Sequence, residues 1–340
     1  MDLFELTRAL VDIESITNNE RQVGDYLFER LSALGTCYKG HLERMEAARG
    51  RDNIFACWGE PEVTLSTHMD TVPPFFPSRE DDEFIWGRGA CDAKGIIAAM
   101  VGAAERLLAG GTRNFGLLFV VGEERNSAGA KAAAQNPRGS RFLVDGEPTG
   151  NRLAVAMKGA LRYEIVAQGK LAHSAYPELG HSAIHVLLDV LREIQNIPLP
   201  EDPLLGASTL NIGTIAGGRA PNVLADHAQA EIMFRLSGDP APIRAAVAAA
   251  STGRAEAREV LYTPAVRLSG LNGLPTTVAA FTTDIPAFGN SWGKAFLIGP
   301  GNIHMAHTAE ERVARRDLAD AVDIYARMVR QLLAKGSTSA

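Results

Sequence analysis

Cysteine is scarce in this chain: Cys37, Cys57 and Cys91 are the only three among 340 residues. They lie far apart without paired metal-ligand spacing, and their odd count argues against the disulfide framework of a secreted domain. A reducing cytoplasm is the expected setting. Lysine and arginine form no stripe, and the formal net charge is -6. The positive field that a nucleic-acid backbone or an anionic membrane needs is missing, so neither is an expected partner. Long apolar runs are absent too. Nothing approaches the roughly 18 apolar residues of a membrane span, and the first residues have no basic region followed by an apolar one. Neither export nor insertion is expected. Low complexity is confined to a short tail, residues 336–340, which is expected to fray.

What is present is the composition of a globular protein, 46% hydrophobic and 22% charged. The length suits two domains, because single cores stop growing at roughly 250–300 residues. Residues 2–34 read as two amphipathic helices broken near Ser15, with Val23, Tyr26, Leu27 and Leu31 at helical steps in the second. Short apolar runs follow at 54–58, 63–67, 115–121 and 142–144, each stopped by Gly, Pro or Asp, and helical spacing over 93–108 and 128–134 alternates with them. Strands alternating with helices predict an α/β fold, a mainly parallel sheet flanked by helices. From about Val155 the pattern changes to longer alternating strands (161–167, 209–215 and 228–236) with helices near 181–195 and 243–250, which predicts an α+β domain. The first pattern returns at 295–298 and ends in a helix over 310–333. The expected division is therefore 1–155 with 266–340 as one domain, and 156–265 inserted into it.

In parallel sheets ligands bind beyond the carboxyl ends of the strands, and here those ends carry chemistry. His68 and Asp70, two apart, would point to the same side, one able to bind a metal while the other orients it. An ordinary satisfied histidine explains the pair as well. Asp92 stands in a glycine-rich turn opening a helix, where it is as readily an N-cap as a ligand. The glycines there match neither the dinucleotide fingerprint nor the P-loop. Glu123 and Glu124 end the third strand, either as a solvated turn or as one metal-binding carboxylate beside one free to take a proton from water. Asp145 and Glu147 follow the fourth strand, and His304 and His307 arrive after Gly299-Pro300-Gly301. Any one segment has a bland explanation, but five acidic or histidine-bearing strand ends together seldom arise from random surface polarity. Three carboxylates and two histidines suit a pair of divalent ions such as zinc, with a bridging carboxylate and open positions for water.

In order and combination, Thr67-His68-Met69-Asp70, Gly87-Arg88-Gly89-Ala90 running into Asp92 and Lys94-Gly95, Glu123-Glu124, Gly146-Glu147-Pro148-Thr149 and Gly299-Pro300-Gly301 ahead of Ala306-His307-Thr308 are highly specific. Over nearly its whole length the chain resembles the zinc metallopeptidase family of acetylornithine deacetylase, succinyl-diaminopimelate desuccinylase, aminoacylase and glutamate carboxypeptidases. The resemblance implies Asp92 as bridging ligand, His68 and Glu147 completing one metal site, and Glu124 and His307 the other. It implies Glu123 as the base and Asp70 steering His68, and prefers His307 to His304 and Glu147 to Asp145. For the inserted domain it implies a lid that also makes a homodimer contact. There His173 would reach a neighbouring active site to hold the developing oxyanion, and Asn222 with Arg235 would clamp a substrate carboxylate. Gly122 departs from the pattern, standing where many relatives have an acid, and Asp145 adds a charge beside the metal site.

The activity so implied is hydrolysis of an amide bond in a small N-acyl amino acid by metal-activated water, with zinc first and cobalt or manganese as substitutes. Dipeptidase, exopeptidase or desuccinylase action comes next. From other classes, a metal-stabilised binding protein for acyl amino acids is disfavoured by the presence of Glu123 beside a full ligand set. A nucleotide-binding protein is disfavoured by the incomplete phosphate loop.

Overall fold

The computed structural model describes residues 2–336, and residues 337–340 of the tail expected to fray lie outside them. Its first helix, α1 (Leu3–Val11), starts where the sequence caps it. Asp2 Oδ1 accepts the N–H groups of Phe4 at 2.7 Å and Glu5 at 2.9 Å, and Glu5 returns a bond to the Asp2 N–H. After α2 (Arg21–Tyr38) come β1 (His41–Ala48), β2 (Arg51–Trp58) and β3 (Val63–His68), then α3 (Lys94–Ala109), β4 (Phe115–Val120), α4 (Ala128–Gln135), β5 (Phe142–Asp145) and β6 (Leu153–Met157). In the inserted part are β7 (Gly159–Gln168), α5 (Ala183–Gln195), β8 (Thr209–Gly217), β9 (His227–Leu236), α6 (Ala241–Ser251) and β10 (Ala255–Thr263), before β11 (Lys294–Leu297) and α7 (Arg315–Gly336). By its contacts the chain forms two compact units, Met1–Val155 with Leu268–Thr277 and Thr283–Ala340, and Ala156–Arg267 with Val278–Thr282.

The first unit is built on a sheet of order β1-β2-β4-β3-β5-β11-β6. Its four central strands, β4, β3, β5 and β11, are parallel, and the flanking strands join antiparallel. This is the mainly parallel α/β sheet expected. All residues of β3 and β4 are buried, because helices cover both faces. Leu65, Leu117, Val144 and Phe296 pack toward α1, α2, α3 and α7, while Leu118, Val120 and Leu143 meet α4, Phe288 and Trp292. Burial on both sides is why these strands read as continuous apolar runs. The exposed edge strand β1 was not expected, since only Met45 in it is buried.

Helix α7 starts at Arg315 rather than at residue 310. The segment before it is held extended, with the Gly87 N–H donating to Glu311 O at 3.1 Å and Arg312–Ala314 pairing antiparallel with Phe84–Trp86.

The second unit is an antiparallel sheet of order β8-β9-β7-β10, with Leu161, Ile165, Ile232 and Phe234 packed against Leu187 and Leu191 of α5 and Val247 of α6. Strand β10 was missed because its residues alternate between exposed and half-buried, leaving no apolar run. Among the described residues no helix is long and apolar enough to cross a membrane.

Candidate metal centre

The parallel strands bring their carboxyl ends together, and the residues just beyond them converge. His68 is the last residue of β3 and is buried. Its Nδ1 donates to the Asp70 backbone carbonyl at 2.9 Å, and its Nε2 faces Asp92 Oδ1 at 2.9 Å. Pinning the Nδ1 proton on a carbonyl leaves Nε2 as the atom that can bind a metal. The other Asp92 oxygen, Oδ2, lies 3.4 Å from His307 Nε2, which is also 3.0 Å from the Glu124 carboxylate. Asp92 thus turns one oxygen toward each histidine. His68, Asp92 and Glu124 each offer one ligand atom within 4.8 Å of the others. His307 takes up a positive φ of 63°, uncommon outside glycine and characteristic of constrained functional positions.

Glu147 is buried on the loop after β5. That loop is fastened by the Thr67 hydroxyl donating to Gly146 O at 2.8 Å and by the Gly146 N–H donating to Ser66 O at 2.7 Å. Position 146 requires glycine, because a Cβ there would lie 2.5 Å from Ile96 and Met100 side-chain carbons. The Glu147 loop is also tied to the segment leading to His307, through the Thr149 and Gly150 N–H groups on Gly299 O and Gly301 O. His304 and His307 are both exposed, but His307 reaches the acids, whereas the His304 N–H donates to Asn302 Oδ1.

Asp70 departs from the arrangement expected. Its carboxylate stands 3.6 Å from His68 Nδ1, beyond hydrogen-bond range. It is spent instead on the turn after β4: Oδ1 accepts the N–H groups of Gly122 at 2.9 Å and Glu123 at 3.1 Å, and Oδ2 accepts Glu124 N–H at 3.3 Å and the Thr17 hydroxyl at 2.8 Å. Asp70 therefore steers His68 with its backbone and shapes the Glu123-Glu124 turn with its side chain. Gly122 fits that turn because it has φ +80°, and a Cβ there would sit 3.0 Å from Arg51 Nη2.

Sequence reasoning missed Glu311, which is fully buried. Its Oε1 accepts the N–H groups of Gly89, Cys91 and Asp92, and Oε2 pairs with Arg88. Its only sequence signal was a glutamate just past the second histidine segment, in a stretch read as helix.

The electrostatics are those of too much negative charge in one buried place. Burial, together with Asp284, Glu124 and Asp92, pushes Glu123 well above the ordinary carboxyl range despite the opposing His68. Burial and the Asp92 and Glu123 charges do the same to Glu147, and burial raises Glu124. Asp145 rises to about 7 through burial and the neighbouring Asp284. Asp92 stays low because its hydrogen bonds to His307 and His68 outweigh its burial. His68 is raised by Asp70 and Asp92 against the opposing effect of burial, and His307 is pushed up to about 10, first by Asp92 and then by Glu124. Bound divalent cations would relieve this crowding of negative charge. Two imidazole nitrogens and several carboxylates form a donor set that suits zinc-like ions.

Three expected site residues lie in the second unit. His173 is exposed, its Nδ1 accepting the Ala175 N–H at 3.2 Å. Asn222 is exposed beside it: Asn222 O accepts the Ser174 N–H at 3.0 Å, and His173 bridges Val223. Arg235 Nη1 donates to the Thr282 hydroxyl at 3.2 Å. Arg235 pairs with Ala160 and Thr209 at one end of β9, whereas Asn222 lies past the His227 end, where Gly218 N–H donates to His227 O. The length of β9 between them is about 26 Å at ~3.3 Å per residue. The expected clamp of Asn222 with Arg235 on one carboxylate is therefore corrected: within one chain, these two side chains cannot reach one small molecule.

Comparison with known proteins adds the following. A family model described as Peptidase family M20/M25/M40 matches residues 64–331. A peptidase M20 domain-containing protein of Schizosaccharomyces pombe is 39% identical over 338 residues, covering 96% of this chain and 84% of that protein. A probable carboxypeptidase of Aspergillus flavus is 35% identical over 371 residues, covering 96% and 86%. The solved structure of an M20 family metallo-carboxypeptidase from Sulfolobus solfataricus shares the fold with a TM-score of 0.79 at 17% identity, covering 98% of this chain and 99% of that one.

Proposed function

This chain belongs to Peptidase family M20/M25/M40, and from that premise we propose that it is a two-metal exopeptidase hydrolysing the amide bond beside a free carboxylate in a dipeptide or short peptide. The observation that carries this is Asp92, one oxygen toward His68 and the other toward His307, with Glu124 alongside and a further, half-buried glutamate, Glu123, left over for proton transfer. His68, Glu147 and Asp92 would hold one ion, and Asp92, Glu124 and His307 the other, zinc first with cobalt or manganese as substitutes. Ions held there would polarise the scissile carbonyl and acidify water.

Glu123 takes the proton of the attacking water and returns it to the departing amine, a task suited to a carboxyl group whose proton affinity burial has raised. Arg235 pairs with the substrate carboxylate. His173 stabilises the oxyanion, and Asn222 works beside His173 rather than beside Arg235. His173 and Asn222 share the end of the second unit away from Arg235, and the motif resemblance supports their serving the site of a second copy in a homodimer. In this reading the second unit is both lid and dimer contact.

The naming of relatives as probable carboxypeptidases supports placing peptide hydrolysis ahead of N-acyl amino-acid deacylation, the reverse of the order expected from the sequence. The latter remains the second reading, supported by the motif resemblance and served by the same groups. The three free cysteines support a cytoplasmic setting. The test is amine release by the zinc- or cobalt-loaded chain from dipeptides, N-acetyl amino acids, N-succinyl amino acids and the C-terminal amides of the best substrates. Release from dipeptides that is lost on amidation is expected. Release from N-acetyl amino acids alone would replace exopeptidase by deacylase, and metal binding without release would replace both by a binding protein.

A further inference from the structure

Glu311 lies four residues beyond His307, and both its side chain and Arg88 are almost wholly buried. One of its oxygens, Oε1, takes three backbone donors from a single turn: Gly89 N–H at 2.9 Å, Asp92 N–H at 3.1 Å and Cys91 N–H at 3.2 Å. Its backbone carbonyl takes the Gly87 N–H at 3.1 Å, and the next residue, Arg312, pairs with Trp86. The segment that delivers His307 is thus also the template around which the Asp92 turn is wound. Fixing the Asp92 backbone aims its carboxylate, whose two oxygens stand 2.9 Å from His68 and 3.4 Å from His307.

The Arg88 ion pair does not explain this arrangement. A buried pair replaced by apolar side chains is often neutral in stability, and the pair with Arg88 occupies only Oε2, which leaves the three N–H groups gathered on Oε1 unaccounted for.

We propose that Glu311 is the positioning residue for Asp92: by collecting the N–H groups of residues 89, 91 and 92 it holds the carboxylate between the two histidines and so sets the affinity of the centre for divalent ions. This rests on the reading of Asp92 as a shared metal ligand. It also joins the two ligand-bearing loops into one unit, so that His307 and Asp92 keep their spacing.

The experiment compares two charge-neutral double variants of the full chain, R88L/E311Q, which keeps a carbonyl oxygen for the three N–H groups, and R88L/E311L, which does not. Chelator-stripped protein is titrated with cobalt(II), followed by calorimetry and by the visible bands that report ligand geometry, with melting temperature as the check on folding. Wild type should take up two cobalt ions. R88L/E311Q should bind within about threefold of it, and R88L/E311L about 10–100-fold more weakly with altered bands.

Equal binding by both double variants, or an equal loss in both, overturns the proposal in favour of a purely structural ion pair. If R88L/E311L does not fold, a tenfold or greater loss in folded R88L/E311Q overturns it alone. Failure of wild type to bind cobalt would remove the metal centre itself, and that outcome is recognised before any variant is compared.

Discussion

Replacing Asp70 by Asn separates two uses of one residue. The carboxylate accepts four hydrogen bonds, from the N–H groups of Gly122, Glu123 and Glu124 and from the Thr17 hydroxyl. Asn keeps one oxygen for Gly122 and Glu123, but its NH2 would face the Glu124 N–H and Thr17, leaving two donors facing a donor. Each group so orphaned costs about 1–3 kcal/mol; the Thr17 hydroxyl can rotate to accept from the NH2, which leaves the Glu124 N–H, so Asp70→Asn should destabilise the chain by about 1–3 kcal/mol. His68 should keep its orientation, because its Nδ1 is held by the Asp70 backbone carbonyl, which the substitution leaves in place. The expected result is a lowered urea midpoint and a kcat reduced through the displaced Glu123 turn, with cobalt affinity within a few fold of wild type. The assay is parallel urea denaturation, cobalt titration and kcat at saturating metal. Cobalt affinity lowered a hundredfold while kcat at saturating metal stays at wild type would refute the reasoning, since it would mean that the carboxylate acts on His68.

Glu123→Gln should retain both metals and lose about 10²–10⁴-fold in kcat; metal analysis beside steady-state kinetics checks it, and wild-type turnover would exclude Glu123 as the base. In metal-free protein, the His307 pKa is raised from an ordinary 6.5 to about 10, so the folded state holds the extra proton between those values. The stability it adds is fully present below about pH 6.5 and lost as pH rises through about 10. The melting-temperature gap between chelated wild type and His307→Gln should therefore narrow over that window, and a constant gap would disprove the assignment. If His173 serves a partner copy, Glu123→Ala and His173→Ala chains, each inactive alone, should regain about a quarter of wild-type activity after mixed refolding, because half the random dimers hold one complete site. Continued inactivity of verified mixed dimers would place His173 in its own chain's site or nowhere.

Much of the centre was legible in sequence because the rule that ligands gather at strand ends is local. Apolar runs stopping at His68, Glu123, Asp145 and before Gly299 mark where each strand ends, and the residue after the stop is the one that faces the pocket. The order of those stops, with Asp92 at the opening of a helix, sufficed to propose a ligand set, and the structure does bring His68, Asp92, Glu124 and His307 together. Strands β1 and β10 were not legible, because an exposed edge carries no apolar run to read. The backbone-versus-carboxylate division of Asp70 and the winding of the Asp92 turn on Glu311 were equally hidden. So was the separation of Asn222 from Arg235 along β9.

The difference is physical. Hydrophobic period and turn residues act over a few positions and are written in the chain, so the sequence by itself determined the parallel strands and the candidate ligands at their ends. Which buried donors a carboxylate satisfies depends on segments 52 to 222 residues away meeting in one place, and only the packed tertiary structure decided that.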